Sequence, residues 1–91
     1  MGRHGEALAL DEKTLETRRR VMGSEHPATL RTATGLAVRL GEVGRVEEAV
    51  VLGEETLEVQ RRVVGPEHSD TLKSVEMLEW LERRRADDRE D

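Results

Sequence analysis

The sequence predicts an all-α fold of antiparallel helix-turn-helix repeats, on two observations: an internal repeat and the spacing of its apolar residues. When the 91-residue chain is shifted by 42 positions, Gly2 aligns with Gly44 and Leu40 with Glu82, and 18 of these 39 pairs are identical. A fixed period of this size is typical of stacked supersecondary units whose faces are buried by their neighbours. No alternation of apolar and polar residues is long enough for a strand, so each period is expected to hold two helices.

The first period predicts helices at about 5–22 and 27–41. No proline or glycine occurs between Gly5 and Gly23, and Gly23 stands where a left-handed C-cap would close the first helix. Pro27 fits the first turn of the second helix, where no N–H group is needed. The apolar residues of the second helix then follow one stripe at helical spacing. They are Leu30, Ala33, Leu36, Ala37 and Leu40.

The second period repeats this plan, with helices expected at about 45–64 and 69–85. Gly65 and Pro66 separate the two helices. Because the turns are short, neighbouring helices are expected to be antiparallel, which gives four antiparallel helices in all. These boundaries assign residues 1–86 to the repeat segment and residues 87–91 to a charged disordered tail.

The composition excludes several classes of function. The chain has no cysteine, a net charge of −5 and a single aromatic residue, a tryptophan. Without cysteine there is no disulfide, thiolate metal site or thiol nucleophile. The chain also lacks the basic surface and the aromatic stacking platform of nucleic-acid-binding proteins, so we expect no nucleic-acid partner. No apolar stretch approaches the ~20 residues of a membrane helix, and no signal-peptide pattern occurs, so we expect a cytoplasmic protein without a membrane partner.

Two runs of three arginines, at 18–20 and 83–85, invite a nucleic-acid interpretation, but their spacing favours a solvated helix face. At three places a glutamate precedes an arginine by four residues, which is the favourable order for an ion pair within a helix. Arginines near helix C-termini are also stabilised by the helix dipole. The predicted pairs are Glu16–Arg20, Glu58–Arg62 and Glu79–Arg83.

His26 and His68 occupy the same position in the two periods, each directly after a glutamate. A zinc site needs three or four convergent ligands, and these residues lie a whole period apart. A turn role is therefore favoured, in which either the imidazole or the nearby Ser69 satisfies N–H groups at a helix N-terminus. No serine-nucleophile, phosphate-loop or zinc-protease motif occurs. We expect no catalysis, no cofactor and no metal.

Three motifs resemble those of a known family. The segments 23–30 (GSEHPATL) and 65–72 (GPEHSDTL) are similar to a turn of 42-residue tetratricopeptide (TPR) repeats of the kinesin-light-chain type. The segment 44–49 (GRVEEA) resembles the turn between the two helices, A and B, of such a repeat. The resemblance implies a TPR-like α-solenoid segment with helices in the order B-A-B-A. Gly53 stands where helix B of the family carries an aromatic residue, and a glycine inside a helix is expected to cost about 1 kcal/mol relative to alanine.

The resemblance also implies a function. The family is a binding scaffold whose groove is built mainly from helix A, so a peptide or protein partner is expected there. Trp80 lies on this surface, either as an interface hot spot or as a cover for apolar residues at the end of the array. Arg31 and Lys73 lie one repeat apart, which favours an acidic partner segment. The groove residues carried over from the family are Arg31, Thr34, Val38, Lys73, Glu76 and Trp80.

An alternative role is that of a C-terminal structural fragment of a larger TPR scaffold or regulatory protein. The chain begins at an A-to-B turn, so its first helix lacks a helix A before it, and this exposed helix is expected to allow homo-oligomers. The last helix carries Glu79 and Glu82 where the second carries Ala37 and Leu40. Carboxylates are costly to bury without partners, so the last helix is expected to be a polar cap of the array.

Overall fold

The computed structural model consists of four α-helices and describes residues 2–90, apart from the side chains of His4, Arg89 and Glu90. Within these residues there is no strand. The helices are α1 (Gly2–Met22), α2 (Pro27–Glu42), α3 (Val46–Val63) and α4 (Ser69–Glu90). The predicted all-α fold is confirmed.

Each turn between helices passes through a glycine in the left-handed region. Gly23, Gly44 and Gly65 have φ angles of 98°, 90° and 100°. L-residues with a Cβ are strained there, and glycine is not. Gly23 donates its N–H to the Arg19 carbonyl at 3.1 Å, and Gly65 donates to the Gln60 carbonyl at 3.0 Å. These bonds satisfy carbonyls that the helix end leaves open, so the glycines end the helices as the sequence predicts.

The helices stack so that α2 contacts all three others, and α3 lies between α2 and α4. Among the described residues α1 contacts α2 and no other helix. Small residues allow close approach at the α2–α3 contact, where Ala37 and Ala49 have no exposed surface. The core is aliphatic, with one methionine and no aromatic ring. It consists of Leu8, Leu15, Ala33, Leu36, Ala37, Leu40, Val46, Ala49, Val50, Met77 and Leu81.

Two helix boundaries differ from those expected by more than one residue. The helix α1 begins at Gly2, three residues earlier, and α4 continues to Glu90, five residues beyond the predicted end at 85. Residues 87–90 of the expected tail are therefore helical, and Asp91 lies outside the described residues. The tail contains no glycine or proline to end a helix, and Arg85 pairs with Glu82 at 3.0 Å and with Glu47 at 3.3 Å. Ion pairs of this kind support the last turns of a charged helix.

Gly53, which the sequence predicts to cost about 1 kcal/mol relative to alanine, lies close to side chains of α4. A Cβ placed on Gly53 would lie 3.0 Å from Cδ2 of Leu78 and 3.0 Å from Cε of Met77. Gly41, inside α2, is packed more tightly, since a Cβ there would lie 2.5 Å from Cδ2 of Leu81 and 2.8 Å from Cζ3 of Trp80. Both glycines therefore make room for side chains of α4, and the absence of a side chain is part of the packing.

Candidate functional site

Both repeated histidines begin a helix. His26 is the N-cap of α2, and its Nδ1 accepts the N–H of Ala28 at 3.0 Å. His68 repeats this bond, with Nδ1 accepting the N–H of Asp70 at 3.0 Å. Of the two groups considered for this role, the imidazole makes the bond. The same Nδ1 of His68 lies 3.9 Å from Oδ2 of Asp70. No group of three metal-binding side chains occurs among the described residues.

A small open cavity lies where α2 and α4 run side by side. Arg31 and Thr34 of α2 and Asp70 and Lys73 of α4 line it, together with Gln60 of α3. Its volume is about 220 Å³. The structure therefore brings together three of the six groove residues expected from the sequence, namely Arg31, Thr34 and Lys73.

Arg31 is held by an ion pair inside this cavity. Its guanidinium donates to Oδ2 of Asp70 at 3.0 Å, and only 9% of the Asp70 side chain is exposed, against 57% for Arg31. Asp70 lies in the first turn of α4, where the helix dipole favours a negative charge. The pair fixes the direction of Arg31 and partly neutralises it. Lys73 is exposed and makes no ion pair with a described residue, so it supplies the uncompensated positive charge of the cavity.

Beneath the two cations lies a chain of buried polar groups. Ser74 donates its hydroxyl to the side-chain carbonyl of Gln60, and both side chains are almost completely buried. The hydroxyl oxygens of Thr34 and Ser74 lie 3.0 Å apart. Because Ser74 gives its single proton to Gln60, the proton between the two hydroxyls comes from Thr34, which shares it with the Leu30 carbonyl at 3.1 Å. This chain links α2, α3 and α4 directly under the cavity.

Gln60, Asp70 and Ser74 were not predicted from the sequence as site residues. A usable signal was present, since Gln60 lies on the apolar face of its helix, where a long polar side chain needs a partner. The partner could not be found from spacing within one helix. Ser74 and Gln60 meet only after α3 and α4 have packed together.

The other three predicted groove residues lie outside the cavity. Val38 is partly buried against the core, and Glu76 is exposed. Trp80 packs over Gly41, and the guanidinium carbon of Arg84 lies 5.3 Å from the centroid of its ring. At this distance a cation–π attraction holds the ring in place. These contacts support the interpretation of Trp80 as a cover for apolar surface, while its role as a hot spot stays a prediction.

One ion pair that was expected within a helix is replaced by an ion pair between two parts of the fold. Arg62 bonds to Glu25, at 2.8 Å through one nitrogen and 3.2 Å through the other, rather than to Glu58. This bidentate contact joins the C-terminal turn of α3 to the turn before α2. The hydrogen bonds and the charge of Arg62 lower the pKa of Glu25 below its ordinary value. Arg39 and Asp11 make a similar link between α2 and α1 at 3.0 Å.

Two stacked helical hairpins with a 42-residue period, whose alternate helices line one surface, define a helical-repeat protein. A family model described as tetratricopeptide repeat matches residues 1–60. The chain therefore belongs to the tetratricopeptide repeat family. A comparison with curated proteins finds no match. None of the helices in the described part of the chain has the length and apolar content needed to cross a membrane.

Proposed function

We propose that this chain is a protein–protein interaction module that binds an acidic peptide or protein segment along the surface of α2 and α4, without catalysis. Membership of the family supports an interaction role. The observation that carries the choice of surface is the cavity between α2 and α4, in which Arg31 and Lys73 lie above a buried polar chain. On this basis we retain all six groove residues as the proposed binding set, with Val38, Glu76 and Trp80 extending the contact beyond the cavity.

The chemistry of the cavity favours a carboxylate. Lys73 has three N–H donors on a flexible stem, and a carboxylate bound to it makes a charge-assisted hydrogen bond. Arg31 is already oriented by Asp70, so less conformational freedom is lost when a ligand contacts its remaining donors. The buried Asp70 sets a limit on affinity, because it repels a second carboxylate placed close to Arg31. We therefore propose Lys73 as the main electrostatic contact.

Two finer assignments belong to the same proposal. The 42-residue period supports the kinesin-light-chain type of TPR repeat. A cytoplasmic location, expected from the sequence, is kept as part of the proposal and is tested by imaging the tagged protein in cells.

The test is a titration of the protein with a library of fluorescently labelled acidic peptides, followed by anisotropy. We expect Lys73→Glu to weaken binding of the best peptide at least ~10-fold, which is about 1.4 kcal/mol. Arg61→Glu is the matched control, since it makes the same charge change at an exposed site on α3. Emission of Trp80, the single tryptophan, reports whether the ligand extends to that end of the surface. Equal loss in both variants would assign binding to net charge and reject the cavity.

A second function is supported by the open face of α1, which within the described part of the chain contacts α2 and no other helix. In that case the chain is a structural segment of a larger TPR scaffold or regulatory protein, and the isolated chain mainly self-associates. Light scattering over a range of concentrations separates the two functions. A monomer that melts cooperatively at every concentration rejects self-association, while a rise in mass with concentration supports it.

A further inference from the structure

One face of α1 is largely open to solvent, whereas on the same face of α3 Ala49 and Thr56 are buried. Leu10 is 64% exposed and Val21 is 71% exposed. The residues that follow this face at helical spacing are Ala7, Leu10, Thr14, Thr17 and Val21. One period later the equivalent residues are Ala49, Leu52, Thr56, Val59 and Val63.

In α3 this face is covered by α2. Thr56 and Val59 share a small cavity with Leu30 and Ala33 of α2, and Thr56 is only 3% exposed. Because α1 repeats the sequence of α3 at four of these five positions, with Thr17 in place of Val59, we infer that its open face can accept a helix in the position that α2 occupies on α3. A groove of about 360 Å³ marks the site on α1, lined by Leu10, Lys13, Thr14, Thr17 and Arg18.

The charges of this face differ from those on α3. Lys13 stands where α3 has Glu55, and Arg18 stands where α3 has Gln60. At these two positions together, one charge reversal and one gained cation make α1 more positive than α3 by three charges. The Nε atom of Arg18 is also buried without a hydrogen-bond partner among the described residues.

We propose that the open face of α1 binds an amphipathic acidic helix of a partner protein, with a stripe of small apolar residues as in α2 and carboxylates facing Lys13 and Arg18. The position of the carboxylates follows from the repeat. Arg18 is the counterpart of Gln60, and on α3 Gln60 lines the cavity together with Arg31 and Thr34 of α2. Arg18 would therefore face the two residues of the incoming helix that are equivalent to Arg31 and Thr34. The inference is independent of the α2–α4 surface and concerns a second partner site.

A second copy of this chain is a poorer occupant for electrostatic reasons. Pairing α1 with α1 of another copy would bring Lys13, Arg18 and their equivalents together, and like charges at an interface weaken binding. Pairing α4 of another copy with α1 would place Glu79 and Glu82 where α2 has the buried Ala37 and Leu40. Burying two carboxylates beside small apolar residues is costly.

The experiment uses the full chain, labelled for NMR, and two synthetic peptides as probes. One peptide has the sequence of residues 27–42, and the other has the same sequence with Arg31→Glu and Thr34→Glu. We expect the acidic peptide to bind ~10-fold more tightly than the native one. The chemical-shift changes that the acidic peptide causes in the labelled chain are expected to centre on Leu10, Thr14 and Thr17. The variant K13E/R18Q gives α1 the charges of α3 and is expected to remove or reverse this preference.

Each other outcome overturns the inference. Loss of acidic-peptide binding in Lys73→Glu, with K13E/R18Q unaffected, would place the peptide on the α2–α4 surface and support the proposed function alone. A rise in mass without peptide, with shifts on α1, would make a second copy the occupant. Equal affinity of the two peptides for the wild-type chain would reject a role for Lys13 and Arg18.

Discussion

Ser74 of α4 donates a buried hydrogen bond to the side-chain carbonyl of Gln60 in α3, and the same hydroxyl accepts from Thr34 of α2. One hydroxyl group thus connects three helices at the floor of the proposed binding cavity. Such a chain favours this register of the helices, because a shift would leave the buried Gln60 and Ser74 side chains without their partners. The positions of Arg31 and Lys73 above it depend on that register.

Replacing Ser74 with alanine is expected to destabilise the protein by about 1–3 kcal/mol, since the buried carbonyl of Gln60 loses its donor. The measurement is urea unfolding followed by far-UV circular dichroism. Ser24→Ala removes an exposed hydroxyl from the turn before α2 and is the control, expected to change stability little. Equal stability of the two variants would show that the chain of polar groups contributes no net stability.

The sequence predicted the parts of the fold that depend on local rules. Gly23 and Gly65 end helices because left-handed backbone needs glycine, and Pro27 begins one because its missing N–H is not needed there. The internal repeat then gave the stacking of the helices. What could not be predicted depends on contacts between helices. The partner of Arg62 is an example, since Glu58 satisfies the spacing rule but Glu25 is the residue that packing brings within reach.

The candidate site shows the same division. The resemblance to the TPR family implied one surface for Arg31, Thr34 and Lys73, and the structure brings these three residues together. The sequence could not show that Asp70 partly neutralises the charge of Arg31, because the position equivalent to Asp70 in the first period is Ala28. The Arg31–Asp70 ion pair thus depends on a residue that differs between the two repeats. A single sequence gives no rule for which residues such non-repeated side chains will contact.

The two glycines inside α2 are expected to respond oppositely to alanine. Gly35 has open space at its Cβ position, so Gly35→Ala is expected to stabilise the helix by up to about 1 kcal/mol through propensity alone. Gly41→Ala would place a methyl group against Leu81 and the Trp80 ring and is expected to cost about 1–3 kcal/mol through overpacking. Thermal melts of both variants test this. Stabilisation by Gly41→Ala would mean that Trp80 moves aside easily and is not held in place by Gly41 and Arg84.

The histidine caps predict a specific order of stability among variants. His26→Ala removes the acceptor for the Ala28 N–H and is expected to cost about 0.5–2 kcal/mol. His26→Asn keeps a side-chain acceptor at the N-cap and is expected to retain most of the wild-type stability. The unfolding free energies of the three proteins at neutral pH provide the comparison. If asparagine were no better than alanine, the imidazole would act through packing and not through its hydrogen bond.

The Glu25–Arg62 pair predicts a pH-dependent contribution to stability. Because Arg62 lowers the pKa of Glu25 in the folded chain, the ionised carboxylate stabilises the fold above the pKa of an unfolded glutamate, and this contribution is lost as the pH falls through the folded value. The wild-type protein should therefore melt at a higher temperature than Glu25→Gln at neutral pH, and the two should converge as the pH falls below the lowered pKa of Glu25. Both groups are exposed, so high salt should also shrink the difference. Glu67→Gln is the control, because it changes the equivalent carboxylate of the second repeat, which makes no ion pair with a described residue. Its melting temperature should stay close to that of the wild type at neutral and at acidic pH. A gap between wild type and Glu25→Gln that persists at acidic pH would mean that the glutamate contributes through something other than its charge.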